Sequence, residues 1–418
     1  MNSLPPLARR LGTGDAVVIG LGSMIGAGVF AAFSPAAQAA GSGLLIGLGV
    51  AAVVAYCNAT SSAQLAAAYP ESGGTYVYGR KQLGEWPGFL AGWGFVVGKT
   101  ASSAAMAMTF AAYAAPPGWE RPVAIAAVVL LVAVNYRGVT RTAALARIIV
   151  GAVLAALAVS VAAVWAGGPA GGTAGPWGGG VLSHGWYGIL QSAGLLFFAF
   201  AGYARIATLG EEVKDPRRTI PRAILAALAI AAVVYAAVAV TVLAALGPDA
   251  VASTPAPLAG AVAAGGWSWA VPVVRVGAAL ASLGALLALI AGLGRTSLAM
   301  AREGDLPRWL AAVHPTYRVP HRAELAVGAA VCVIIAFADL RGAIGFSSFG
   351  VLLYYLVANL SALTQRGADR RYPRFLQVLG AAACVVLVAT LPPGAVLAGL
   401  AMFAIGFGYR AARLRRRS

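Results

Sequence analysis

Charge is what this sequence has least of. Only 10% of its 418 residues are Asp, Glu, Lys or Arg, against about 25% in an ordinary soluble domain. Acids are scarcer still, 13 Asp plus Glu against 30 Lys plus Arg, while 60% of the residues are hydrophobic. That balance argues against a water-soluble enzyme. The three histidines, His184, His314 and His321, and the three cysteines, Cys57, Cys332 and Cys384, are scattered. They make no metal-type spacing and no nucleophile, base and acid array, so neither a metal site, a cofactor nor a catalytic residue is expected. The cysteines lie in apolar stretches and read as small core residues. Nothing resembles the selectivity filter of a channel.

Long apolar runs are what the sequence does have. At about 20 residues per bilayer crossing, twelve crossings use about 240 residues and leave short loops. Runs between charged or Pro/Gly-rich punctuation predict helices near 15–38, 43–68, 87–114, 121–136, 143–166, 186–210, 222–246, 270–298, 323–338, 342–363, 374–391 and 394–410. The glycine-rich stretch Gly167 to Gly180 and the proline-rich one around Pro248 to Pro257 read as loops. Arg9, Arg10, the following apolar stretch and Ala37-Gln38-Ala39 imitate a cleaved leader, but the glycine motif inside that stretch argues for a retained first span.

The formal charge of +17 would suit a nucleic-acid partner if the basic residues made a stripe on one soluble face. They fall between the apolar runs instead, and no nucleic acid is expected. With a cytoplasmic N-terminus, the inner side collects every Lys and Arg except Arg121, Arg275, Arg341 and Lys99, which is the positive-inside pattern of an even number of spans with both termini cytoplasmic. Membrane lipid is the expected surrounding, in a cytoplasmic membrane of bacterial type. Trp119, Trp165, Trp177, Trp186, Trp267 and Trp269 fall near predicted outer ends, where indole rings favour the headgroup layer.

Helix 1 reads GLGSMIGAGVF from Gly20 to Phe30, with glycine at positions 20, 22, 26 and 28. Each costs about 1 kcal/mol against Ala in a helix. Two readings fit: a break near the midplane that frees the Ala27 and Gly28 amides and the Met24 and Ile25 carbonyls, or close packing of helices through small residues. In helix 6, Ala201 and Gly202 interrupt the aromatic run Phe197 to Tyr203. Two interrupted helices five apart are the sequence pointer to a midplane binding site in an inverted-repeat transporter.

Three blocks carry a resemblance: SMIGAGVF (Ser23 to Phe30), FAFAGYARIATLGEEVKDPRRTIPRA (Phe198 to Ala223) and GRTSLAMAREGDLPRWLAAVHPTYRVPHRA (Gly294 to Ala323). They resemble the amino acid-polyamine-organocation superfamily, more narrowly its cationic amino acid transporter-like and bacterial amino acid permease branches. The resemblance implies an all-α polytopic membrane protein of about 12 transmembrane helices. It implies a LeuT-like five-plus-five inverted repeat with broken helices 1 and 6 and two extra C-terminal helices. One domain would then fill 1–418, with repeats at 14–166 and 184–363 and helices 11 and 12 at 374–410.

By the same resemblance, the substrate site comprises Met24, Ile25, Gly26, Ala27, Gly28, Phe198, Ala199, Ala201, Gly202 and Tyr203. The Ala27 and Gly28 amides would hold the substrate carboxylate, and the Met24, Phe198 and Ala201 carbonyls its amino group. Phe198 and Tyr203 would gate the side chain. On the residues themselves, Arg205 is expected either to pair with Glu211 or Glu212 or to reach the inner surface, and Glu211, Glu212 and Asp215 against Lys214, Arg217 and Arg218 read either as an inner gate or as solvated loop charges. Of Tyr354 and Tyr355, candidates for the outer vestibule, one must face away, since neighbours on a helix differ by about 100°. The lysine that this family often carries in helix 5 is absent, with Val153 near its place, and helix 8 lacks a Ser/Thr pair for sodium between Ser282 and Ala291. Lys99, in the middle of helix 3, is therefore the coupling candidate, with protons as the expected coupling partner; a structural ammonium capped by carbonyls, Thr100, Ser102 and Ser103 is its alternative.

Ala204 stands where cationic transporters tend to carry an acid. Neutral L-amino acids are the expected substrates, with room left by Ala199, Ala201, Ala104 and Ala285, carried by a secondary transporter working by alternating access. An exchanger or exporter, a cationic amino acid transporter, and a non-transporting amino acid sensor are the alternatives. No obligate protein partner is indicated.

Overall fold

The computed structural model describes residues 11–70, 73–138, 143–167, 180–210 and 212–415. Glu211, Trp177, Arg9, Arg10, Arg417 and most of the Gly167 to Gly180 stretch lie outside these residues. Helices account for nearly all of the described structure: α1 Thr13–Met24, α2 Ala27–Ala31, α3 Phe33–Ala40, α4 Leu44–Ala68, α5 Thr75–Leu83, α6 Glu85–Ala114, α7 Glu120–Tyr136, α8 Ala143–Gly167, α9 Gly185–Phe200, α10 Ala204–Ala207, α11 Pro216–Ser253, α12 Pro257–Ala264, α13 Val271–Arg302, α14 His321–Phe337, α15 Leu340–Thr364, α16 Arg374–Thr390 and α17 Pro393–Arg415. Among the described residues there is no β-strand beyond one isolated bridge, Leu11 to Val213.

Among the described residues, eight spans are long and apolar enough to cross a membrane. They correspond to predicted helices 1, 2, 5, 6, 7, 8, 10 and 12. Predicted helices 4, 9 and 11 form as α7, α14 and α16, each 17 residues long. At 1.5 Å of rise per residue that is about 25 Å, a little short of a bilayer core of about 30 Å. Predicted helix 3 is α6, which has ample length at 30 residues but dilutes its apolar surface with Gly, Ser, Thr and Lys99. The integral, multi-pass character of the protein is thus plain.

Its solvent logic agrees. Phe337, Val233, Ile148 and Leu397 are among the large apolar side chains left exposed, while Asn58, Ser61, Gln64, Lys99, Ser103 and Asn359 are buried. A soluble protein arranges these the other way round; a lipid-facing exterior needs no polar cover. Trp119, Trp165, Trp186 and Trp269 are all exposed, as rings seated in a headgroup layer are.

Among the first ten predicted helices, four of the five pairs five apart are in contact. The first half of helix 1 packs on the interruption of helix 6, α4 on α11, α6 on α13, and α7 on α14. The bundle interior behind these pairs holds polar side chains, some of them bonded across helices. Asn359 Nδ2 donates to Asn58 Oδ1 at 2.6 Å and Ser61 Oγ to Asn359 Oδ1 at 2.7 Å. These bonds tie α4 to α15, and a buried polar group in this setting costs several kcal/mol if left unpaired.

Candidate functional site

Both predicted interruptions are present. α1 stops at Met24; Ile25 (φ −81°, ψ 48°) and Gly26 (φ −93°, ψ −134°) leave helical geometry, and α2 resumes at Ala27. In helix 6, α9 ends at Phe200, and Ala201–Tyr203 tightens into a 3-10 turn before α10. The helix-1 glycines serve the packing as well as the break, so the two readings of that motif are not exclusive. A Cβ on Gly202 would come within 2.3 Å of the Ser23 carbonyl oxygen, and one on Gly28 within 2.6 Å of Ala199 Cα. Only glycine lets the two interrupted backbones touch.

Where they touch, a cavity of about 90 Å³ opens, enough for several waters or a small solute, since one water needs about 10–15 Å³ by this measure. Ser23, Met24 and Gly28 line it from helix 1, and Phe198, Ala199, Ala201, Gly202, Ala204 and Arg205 from helix 6. Phe95, Lys99, Ser102 and Met106 come from α6, and Ala285, Leu289 and Thr296 are among those from α13. Of the expected site residues, Ile25, Gly26 and Ala27 are buried behind this surface. Ala104 is likewise buried outside the lining.

The two expected gating rings part company. Phe198 faces the cavity. Tyr203 does not: it is fully buried, with its ring 5.1 Å from that of Tyr355. Tyr355 is itself fully buried and Tyr354 is turned to a second cavity described below, as neighbours about 100° apart on a helix must diverge.

Two of the three carbonyls expected to receive an amino group already have donors. Lys99 Nζ donates to Ala201 O at 3.2 Å. The Tyr235 hydroxyl, from α11, lies 2.6 Å from Met24 O and 3.0 Å from Ala199 O, bridging both interruptions. Tyr235 carried no signal in the sequence: an aromatic in a long apolar run is ordinarily core, and only the fold brings its hydroxyl to the freed carbonyls.

Lys99 is buried, at 6% exposure, and no ion pair to it is formed among the described residues. The hydroxyls expected to cap it look elsewhere: Thr100 and Ser103 donate to the carbonyls of Val96 and Lys99 in their own helix, and Ser102 pairs with Ser347 at 2.6 Å. Val153 is buried in α8.

Below the cavity lies a vestibule of about 290 Å³ lined by Tyr76, Arg205, Thr208, Glu212, Arg295, Thr296 and Tyr354, among others. Phe95, Arg205, Thr208, Gly292 and Thr296 line both spaces, so the two are neighbours with these residues as a common wall. The vestibule lies toward the face where Leu11 N donates to Glu212 O at 3.1 Å. Arg205 makes its bond to Thr208 Oγ1, at 3.3 Å, and not to Glu212. Asp215 meets Arg218 at 3.8 Å in an exposed pair, and the Arg217 carbonyl accepts from Arg371.

The vestibule wall is braced by a charge network that sequence reasoning missed, because its members lie far apart in the chain. Asp305 accepts from Tyr76 at 2.8 Å and from Arg80 at 3.0 Å, and also pairs with Arg410. Arg410 reaches Glu85 at 3.0 Å and lies over the Trp86 and Phe89 rings. Burial, followed by the bond to Asp305, holds the Tyr76 hydroxyl well above its usual titration range.

A sequence profile described as amino acid permease matches residues 11–412. An uncharacterized transporter of Mycobacterium tuberculosis is 60% identical over 413 residues, 98% of this chain and 93% of its own. A branched-chain amino acid permease of Bacillus subtilis is 25% identical over 90% of this chain and 84% of its own. Cationic amino acid transporter 7, chloroplastic, of Arabidopsis thaliana is 29% identical over 84% and 65% respectively.

Proposed function

Because the chain belongs to the amino acid permease family, and so is a transporter and not an enzyme, we propose that it carries neutral L-amino acids by alternating access around the cavity between the two interrupted helices. The observation that carries this reading is the composition of that cavity: Lys99 and Arg205 line it, and among the described residues no carboxylate does. A cationic side chain would be buried against like charge with nothing to offset it. A zwitterion with an apolar or modestly polar side chain meets Phe198, Ala199, Met106 and Ala285 instead.

In this reading the freed Ala27 and Gly28 amides receive the carboxylate and the carbonyls of Met24, Phe198 and Ala201 the amino group. The substrate amine then competes with the Lys99 ammonium for Ala201 O. That competition suits Lys99 to proton coupling, since a buried ammonium displaced from the one acceptor it has among the described residues is held less firmly in its charged form. The pairwise packing of elements five apart supports a five-plus-five inverted repeat, with α6, α7, α14 and α16 completing twelve crossings and both termini on the cytoplasmic face. The runner-up substrate class, cationic amino acids, is disfavoured by the same cavity lining.

The test is uptake of a panel of radiolabelled amino acids into proteoliposomes, with and without an inward proton gradient, for the wild type and Lys99→Ala. Gradient-stimulated uptake of a neutral amino acid, with the stimulation lost in the variant, is the expected result. Uptake indifferent to gradient and substitution would replace proton coupling by facilitated diffusion or exchange. Binding without flux would point to a sensor, and preference for lysine or arginine would overturn the substrate class.

A further inference from the structure

Two guanidinium groups face the vestibule, Arg205 from α10 and Arg295 from α13, and neither forms an ion pair among the described residues. The two are near enough to feel each other's charge. Like charges brought together at one wall, bonded among the described residues to no carboxylate and with Arg205 holding only Thr208 Oγ1, leave donors for a visiting anion. The acids nearby, Glu212 and Glu324, act on Arg205 and Arg295 respectively without bonding to them. Glu212 lines the same vestibule. Glu324 is 3% exposed on α14, has an unbonded Oε2, and is packed against Gly294.

The pattern of unpaired guanidinium and carboxylate across one open space is complementary to a zwitterion. From these positions we infer that the vestibule is a second amino acid station, with Arg205 and Arg295 receiving the α-carboxylate and Glu212 the ammonium of a molecule passing between the central cavity and the face bearing Leu11. Thr208 and Thr296, shared by both spaces, supply hydroxyls along the way. Phe95 and Tyr354, with ring centres 5.3 Å apart, form the neck between the two positions. Arg205 belongs to both linings, so it hands the carboxylate from one to the other. Residence there keeps the exit path from being a desolvation barrier, because each charged end of the substrate is met before the next is released.

This inference rests on the transport reading, and its test separates the two. Equilibrium dialysis of purified full-length protein with radiolabelled L-alanine, or the amino acid of highest flux in the panel if alanine is not carried, is expected to give two molecules bound per chain at saturation. Arg295→Gln, at an exposed position, is expected to reduce this to one. In sided flux measurements the same variant and Glu212→Gln raise the half-saturating concentration at the vestibule face tenfold or more, leave the opposite face within twofold, and Arg295→Lys restores most of the loss. One molecule per chain in the wild type, unchanged by Arg295→Gln, with both faces unaffected or shifted alike, would overturn the station while leaving the transporter intact. No flux and no binding of any panel member would remove the transport reading and the station together.

Discussion

A single lysine in the middle of a membrane helix is an expensive residue, costing at least about 2.5 kcal/mol on insertion scales. Here its ammonium is spent on one carbonyl, Ala201 O. If Lys99 serves coupling and not folding, Lys99→Met removes the buried charge at little structural cost. We expect its thermal unfolding temperature in detergent to equal or exceed that of the wild type while gradient stimulation disappears. A fall of several degrees with coupling intact would make Lys99 a structural residue. Tyr235 behaves in the opposite way. Tyr235→Phe leaves the Met24 and Ala199 carbonyls short of a donor, at about 1–3 kcal/mol for a buried polar group left unpaired, so it is expected to lower the unfolding temperature. Of these two residues, only Lys99 stands out in the sequence, because a charge in an apolar run is conspicuous and a tyrosine there is not.

At the level of elements, the interrupted helices are legible because glycine is a poor helix former and four of them crowd helix 1. What the interruption is for follows from the contacts. Gly202→Ala would drive a methyl into the Ser23 carbonyl, and Gly28→Ala into the Ala199 backbone. Neither neighbour is the flexible end of a side chain, so both substitutions are expected to destabilise by about 1–3 kcal/mol or more and to abolish amino acid binding. Gly49, within α4, has nothing within 4 Å of its would-be Cβ. Gly49→Ala should leave binding untouched and raise stability by up to about 1 kcal/mol; binding and thermal unfolding of the three variants side by side distinguish a packing role at the site from a general intolerance of alanine. The four helices of lower hydropathy or shorter length, α6, α7, α14 and α16, show the limit of hydropathy at this scale. α6 is largely buried, so its polar stretch is hidden from lipid, whereas α7, α14 and α16 expose large apolar side chains such as Leu130, Phe337 and Phe375 and fall short in length alone.

Across the whole molecule, Arg410 on the last helix is buried against Asp305, Glu85 and two aromatic rings. It staples α17 to α6 and to the segment after α13, beside the vestibule. Arg410→Ala strips Asp305 of one buried partner and leaves it Tyr76 and Arg80, so the loss stays below about 3–5 kcal/mol, the cost of a buried charge left wholly unpaired. The variant is expected to unfold at a lower temperature. Adding Asp305→Asn should recover part of the loss, because less buried charge then needs compensation; a double variant no better than the single would mean that Arg80 and Tyr76 already satisfy Asp305. Transport by the surviving folded fraction is expected to continue, since neither residue lines the central cavity.

Composition and pattern alone determined that this is a multi-pass membrane protein of helical build, and the three matched blocks added the permease resemblance. Apolar runs, positive charges between them and two glycine-rich interruptions follow from local physics: lipid demands internally bonded backbone, and glycine weakens helices wherever it stands. The tertiary structure alone decided which side chains meet the opened backbone. Tyr203 turned away to Tyr355, Tyr235 came in from α11, Lys99 took the Ala201 carbonyl, and Arg205 was left free to face Arg295 across a vestibule. These are contacts between residues tens to hundreds of positions apart, set by how helices rotate and cross, and no local rule of spacing reaches that far.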